Sequence, residues 1–284
     1  MRRERQVGGL QYTVRSRGRN LQAGGAPSVP NMQTLIGSVV ADLDATVSAS
    51  YTSGQTFANL VLTPADGAAQ TAYDFWLGTD SGSAANDPTF ATDKFTLDGG
   101  DWFTIKANTT LINDLHKTTG GLPHTFFIAG KFTARGGLAV GQAIYGTGGR
   151  SSAKHGTAVG NGFFGTANNY QRNCSGAVFV DSDTQGGADF ADGTFKVLAF
   201  TFNPTTRATK AYINSATPYT SSVNIYTSST NASDALQVGA GGAADSPLYA
   251  GAEIKGFGFC NAAISDAEFT ILRNEYIRRH GAIY

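Results

Sequence analysis

Apolar and polar positions alternate in short bursts along this chain, most clearly in Phe95-Thr-Leu-Asp-Gly-Gly-Asp-Trp-Phe-Thr-Ile105. Apolar residues at every second position on both sides of Gly99-Gly100 predict a β-hairpin with one buried face. A three-residue loop, Gly99 to Asp101, sets Leu97 opposite Phe103 and Phe95 opposite Ile105, with glycine taking a positive φ. All four side chains then point inward and Trp102 faces away. A slip of one residue would expose half of the set, so the register is firmly specified.

Similar runs predict strands at 35–40, 124–134, 139–145, 176–181, 195–202, 208–213, 235–238 and 254–260. Between 146 and 173 the pattern gives way to glycine-rich loops with at most one strand, near 159–164. Thr110 to His116 predicts one helical turn capped by Asn108 or Thr109. At the end of the chain the period changes. Ser265-Asp-Ala-Glu268 is a capping box, and Phe269, Leu272, Tyr276 and His280 share one helical face, which Gly281 closes. Many short strands and one final helix predict an all-β, two-sheet sandwich.

Composition supports that class. Glycine is abundant (36 of 284 residues) and charged residues are sparse (15%), as tight turns between short strands require. The net charge of zero hides an asymmetry. Residues 1–20 carry Arg2, Arg3, Arg5, Arg15, Arg17 and Arg19 against Glu4, a balance of +5, which leaves −5 on the remainder. That arm reads either as an anchor for an acidic partner surface or as a solvated tail. Tyr12 is the one aromatic among the arginines and no nucleic-acid-binding motif is present, which argues against nucleic acid as its partner. No apolar run reaches membrane-spanning length, and no apolar core follows the first arginines as in a secretory signal. Cys174 and Cys260 are too few for a disulfide framework and fit a reducing cytoplasm.

Candidate chemistry is thin. The four histidines show no metal spacing, so no cofactor is expected. Asp98 and Asp101 serve the predicted turn, and calcium is the one cation that such a loop would suit. Tyr73, Phe75 and Trp76 alternate imperfectly; Tyr73 and Trp76 are candidates for contact with a glycan or partner, against burial in the sandwich. Asp181 and Asp183 share one side of an extended segment and are candidates for a sugar hydroxyl or a cation, against a solvated loop.

Three blocks also carry a resemblance. They are Asp42-Leu-Asp-Ala…Ser-Tyr51…Ser-Gly-Gln-Thr-Phe57…Asn59-Leu60, then Pro88-Thr-Phe90…Phe95…Asp98-Gly-Gly-Asp101-Trp-Phe-Thr-Ile105, and Phe257…Ala263-Ile-Ser-Asp-Ala-Glu268…Arg279-His-Gly281. Together they resemble the laminin-G-like branch of the concanavalin A-like lectin/glucanase superfamily, in the form found in tailed-phage virion proteins. The resemblance implies a jelly-roll sandwich over 39–284, from whose usual pattern this chain departs by an insertion near 61–87; residues 1–38, by their composition, read as an extended anchoring arm. It further implies a place on the virion surface, and the leading reading is a non-enzymatic structural protein made in the cytoplasm of a bacterial host. Its partners would be other capsid or tail proteins, in a homo-oligomer or symmetric array. The alternative is a carbohydrate-binding adhesin or tail-fibre domain that recognises host surface glycans. Glucan-cleaving members use Glu-x-Asp-x-x-Glu or a similar acidic run. Here Glu occurs only at 4, 253, 268 and 275, so no catalytic residue is assigned.

Overall fold

The computed structural model describes residues 31–117, 119–133, 142–148, 154–161, 169–175, 179–184, 190–222, 229–242 and 252–281. The six arginines of the basic arm lie outside these residues. The described strands form two antiparallel sheets. The first contains β1 (Val39–Asp44), β4 (Thr89–Ala91), β5 (Lys94–Leu97), β7 (His124–Thr133), β12 (Asp192–Asn203), β13 (Ala208–Ile213), β14 (Tyr219–Ser222) and β16 (Ala252–Cys260). Its order is β14-β13-β12-β7-β16-β5-β4, with β1 also paired to β16. The second contains β2 (Thr56–Phe57), β3 (Phe75–Leu77), β6 (Phe103–Ile105), β8 (Gln142–Gly146), β9 (His155–Asn161), β10 (Asn169–Ser175), β11 (Phe179–Thr184) and β15 (Gln237–Val238). Its order is β11-β10-β9-β8-β15-β6-β3-β2.

The aromatic core lies between the sheets. Phe257 of β16 is at its centre, with ring centroids 5.6, 5.0 and 5.4 Å from Phe57, Phe75 and Phe103. Phe95, Leu97, Phe103 and Ile105 are all buried there, as the alternation predicts. Their pairing is not that of a hairpin. β5 pairs with β16 and β4, whereas β6 pairs with β3 and β15 in the opposite sheet. Asp98 to Trp102 therefore form an arch across the sandwich, and Phe95 meets Phe103 face to edge at 5.1 Å rather than across a ladder. A hairpin and an arch send the same residues inward, because alternation reports the face toward the core and not the partner strand.

A second apolar layer covers the outer face of the first sheet. α1 (Met32–Leu35), α2 (Thr110–Asp114) and α3 (Asp266–His280) are the described α-helices. Phe269, Leu272 and Tyr276 of α3 join Phe127, Ala129, Val197 and Tyr212 in this layer. Phe269 stacks on Tyr212 at 4.6 Å, and the Tyr212 hydroxyl donates to Asp266 Oδ1 at 2.7 Å. The capping box forms as predicted: Glu268 N–H donates to Ser265 Oγ and Ser265 N–H to Glu268 Oε2. α2 begins at its Thr109 cap. Residues 35–40, predicted as a strand, instead carry the end of α1 and the start of β1. Met32 and Ile36 are buried in the layer under α3, so the fold is already in place before residue 39, where the sandwich was expected to begin. Two strands, β9 at His155–Asn161 and β10 at Asn169–Ser175, fall where at most one was expected, and β14 was not foreseen. Residues 61–87 contribute β3, an integral strand of the second sheet.

A buried ion cluster fastens α3 to β1. Arg279 reaches Asp42 through both terminal nitrogens (3.1 and 3.0 Å), Asp44 at 3.0 Å and Glu275 at 2.9 Å. Met32 N–H donates to Asp42 Oδ2 at 3.1 Å, and His280 Nε2 lies 3.3 Å from Asp44. Burial works against the Asp44 carboxylate, yet His280, Thr46 and Arg279 hold its pKa at about 2. For Asp42 burial wins over the same guanidinium, and its pKa is raised. Asp42, Asp44 and Arg279 come from the first and last sequence blocks and together serve the fold.

Candidate functional site

Three connections cross between the sheets at one rim. Residues 45–55 link β1 to β2, 78–88 link β3 to β4, and 98–102 link β5 to β6. They meet around Gly78. Gly78 N–H donates to Trp102 O at 2.8 Å, Leu77 N–H to Gln55 O at 2.9 Å, and Trp102 N–H to Asn86 O at 3.3 Å. Gly78 has φ +69°, and a Cβ there would stand 2.3 Å from Asp87 Oδ1, so only glycine admits the carboxylate this close.

The polar atoms at this junction are partly unused. Gln55 Oε1, Asp87 Oδ1 and Trp102 Nε1 are each shielded from solvent and have no hydrogen-bond partner among the described residues. Asp87 spends its other oxygen on the Ala84 N–H, at 2.9 Å. Two acceptors and one donor thus belong to the three connections that meet at Gly78, and the Trp102 residue remains partly exposed. An unmatched buried polar atom costs on the order of 1–3 kcal/mol. Residues 79–85, which form the outer lip, are all exposed.

Asp98 and Asp101 hold the arch. Asp101 Oδ2 accepts the Asp98 N–H at 2.9 Å, and Asp98 Oδ1 accepts the Gly100 N–H at 2.9 Å. Burial, with the charges of Asp98 and Asp87 nearby, pushes Asp101 up to about 6. Among the described residues no group of three His, Cys, Asp or Glu side chains is placed to hold a metal ion. The two aspartates serve the turn.

The other sequence candidates fall elsewhere. Tyr73 is fully buried, its hydroxyl donating to Asp66 and accepting from Thr109 Oγ1, so its proposed contact with a ligand is corrected to a core role. Trp76 points outward from β3 but carries Lys106 Nζ 4.2 Å over its ring, and Lys106 also pairs with Asp74 at 3.3 Å. That ring face is occupied. Asp181 and Asp183 lie on β11 opposite Arg172 and Tyr170 of β10, away from the rim strands in the sheet order. The described glutamates are committed: Glu253 to Lys94 and Lys131, Glu268 to the α3 cap, and Glu275 to Arg278 and Arg279. Glu253 is held below its ordinary pKa, first by its bond to Lys94, which is the wrong direction for a general acid.

No protein-family model matches the chain, and no curated protein matches it in sequence. Solved structures do match. The botulinum neurotoxin serotype D binding domain aligns at TM-score 0.54 and 13% identity, over 87% of this chain and 53% of that one. A Trypanosoma rangeli sialidase in complex with sialic acid aligns at 0.52 and 12%, over 89% of this chain and 34% of that one. The CBM40 of Ruminococcus gnavus IT-sialidase aligns at 0.45 and 10%, over 64% of this chain and 96% of that one. This chain therefore spans about half of the toxin domain and about a third of the trypanosomal sialidase chain. The first two alignments show that this chain shares its β-sandwich fold with those structures; the two antiparallel sheets and the C-terminal helix α3 are seen in the chain itself.

Proposed function

We propose that this chain is a non-enzymatic carbohydrate-recognition module whose ligand seats at the rim around Gly78. The observation that carries the reading is the set of unmatched polar atoms on Gln55, Asp87 and the partly exposed Trp102. Sugar hydroxyls donate to the two acceptors and accept from the indole N–H, while a sugar C–H face packs on the ring. The toxin neighbour is a binding domain and the sialidase neighbour is a complex with sialic acid, which supports surface recognition as a use of this fold. The test is a glycan array probed with the full chain and with Trp102→Ala and Asp87→Ala. Binding that is lost in both variants while the melting curve stays cooperative is expected. Absence of binding to any glycan, or equal binding by the variants, refutes the reading.

A second reading, structural placement on a phage particle, is favoured by the basic arm and by the sequence resemblance. In it, the residues that precede α1 anchor the module to capsid or tail proteins in a symmetric array, and the rim faces the host. Deleting residues 1–25 is then expected to leave the melting temperature unchanged and to abolish cosedimentation with undecorated particles. Attachment at full affinity would remove the arm from that role.

A further inference from the structure

We infer that the rim selects neutral, hydroxyl-rich sugars and rejects glycans ending in a carboxylate. The inference rests on the glycan reading and adds the chemical class of ligand. Its basis is the charge of the three loops. They carry Asp80, Asp87, Asp98 and Asp101, and no Lys, Arg or His occurs anywhere between Arg19 and Lys94 or within 98–102. Recognition of a sialic or uronic acid requires a cation or an unmatched donor array to receive the carboxylate. Among the buried side-chain atoms of the described rim residues, one donor, Trp102 Nε1, is unmatched against two acceptors, and no side chain of the three loops is cationic.

The lysines on the adjoining strands are already paired. Lys94 binds Glu253 at 2.6 Å, and Lys106 binds Asp74 while covering Trp76. Neither supplies a free counter-charge. Bridging an anionic sugar through a metal would need a ligand group, and among the described residues none of three acidic, His or Cys side chains is assembled. Asp101 shows that negative charge is already crowded here, since Asp98 and Asp87 add to its burial in holding its proton. A further carboxylate would meet like charge with no compensation.

The experiment compares each neutral glycan with its enzymatically sialylated form, by array and then calorimetry, using the full chain at neutral pH. At least a roughly tenfold preference for the neutral form is expected, the size of a modest like-charge penalty. The Asp80→Asn/Asp98→Asn double variant keeps both turn-forming oxygens and leaves Gln55, Asp87 and Trp102 intact. It is expected to bind the neutral form unchanged and to narrow the gap. Equal or tighter binding of the sialylated form would overturn the charge argument and leave the glycan reading standing. Failure to bind any glycan would remove both.

Discussion

Replacing Arg279 with methionine would test the cluster that joins the two ends of the chain. Arg279 is 2% exposed at its side chain, and Asp42 and Asp44 are 0% exposed. Methionine fills much of the volume but leaves two buried carboxylates without the cation that offsets their desolvation. Removing one partner of such a pair costs about 3–5 kcal/mol, which for a domain of this size lowers the melting temperature by roughly 10 °C. The pH dependence gives the mechanism. In the native protein the Asp44 pKa of about 2 lies below its ordinary value, so its contribution is present above pH 4 and lost as pH falls toward 2. In the variant Asp42, already raised by burial, loses the guanidinium that opposes that rise, while His280 and Thr46 still hold Asp44, so the folded state gains a proton at Asp42 and the deficit shrinks on acidification. Chemical denaturation of both proteins from pH 7 to pH 4 measures this directly, and Asp42→Asn in the Arg279→Met background should recover part of the loss. A deficit under about 1 kcal/mol at pH 7, or one that does not change with pH, would refute the reasoning.

Two further outcomes follow from burial. Phe103 packs against Phe57, Phe95 and Phe257, so Phe103→Ala should cost about 3–5 kcal/mol in a denaturant titration, and Trp102→Ala on the outer side should cost less. His116 and His124 are buried, and burial pulls both down to about 4, with His155 and Lys117 adding to the effect at His116 and His116 at His124. Their neutral forms favour the fold, so stability should fall as pH drops from about 6.5 to about 4, by at most about 3 kcal/mol for each histidine. A His116→Gln/His124→Gln variant should lose that slope; an unchanged slope would assign it to other groups.

Much of the fold was legible because periodicity reports burial. The capping box, the apolar face of α3 and the inward set Phe95, Leu97, Phe103 and Ile105 all stand as read. Strand partners were not legible: the same parity serves a hairpin or an arch, and the choice depends on β16 and β15, about 150 residues away. Glycine-rich strands such as His155–Asn161 carry too few side chains to show alternation, so the middle of the second sheet was underread. The candidate site was mostly hidden for a related reason. Gln55, Asp87 and Trp102 come from three connections that meet only after the sheets form, and no short motif links them. The outward parity of Trp102 was the one local signal. Tyr73 misled because its ring is buried and its hydroxyl is already bonded to Asp66 and Thr109.

The rim claim has a direct spectroscopic test. The chain contains two tryptophans, so its nitrogen–proton spectrum carries two indole signals, assignable with a Trp76→Phe variant. Trp102 Nε1 has no partner among the described residues, whereas the Trp76 ring is covered by Lys106. Titration with a neutral glycan selected on the array should move the Trp102 indole signal in a saturable way and leave that of Trp76 in place. Saturable binding in the calorimeter with an unmoved Trp102 signal would place the ligand elsewhere on the molecule and contradict the account.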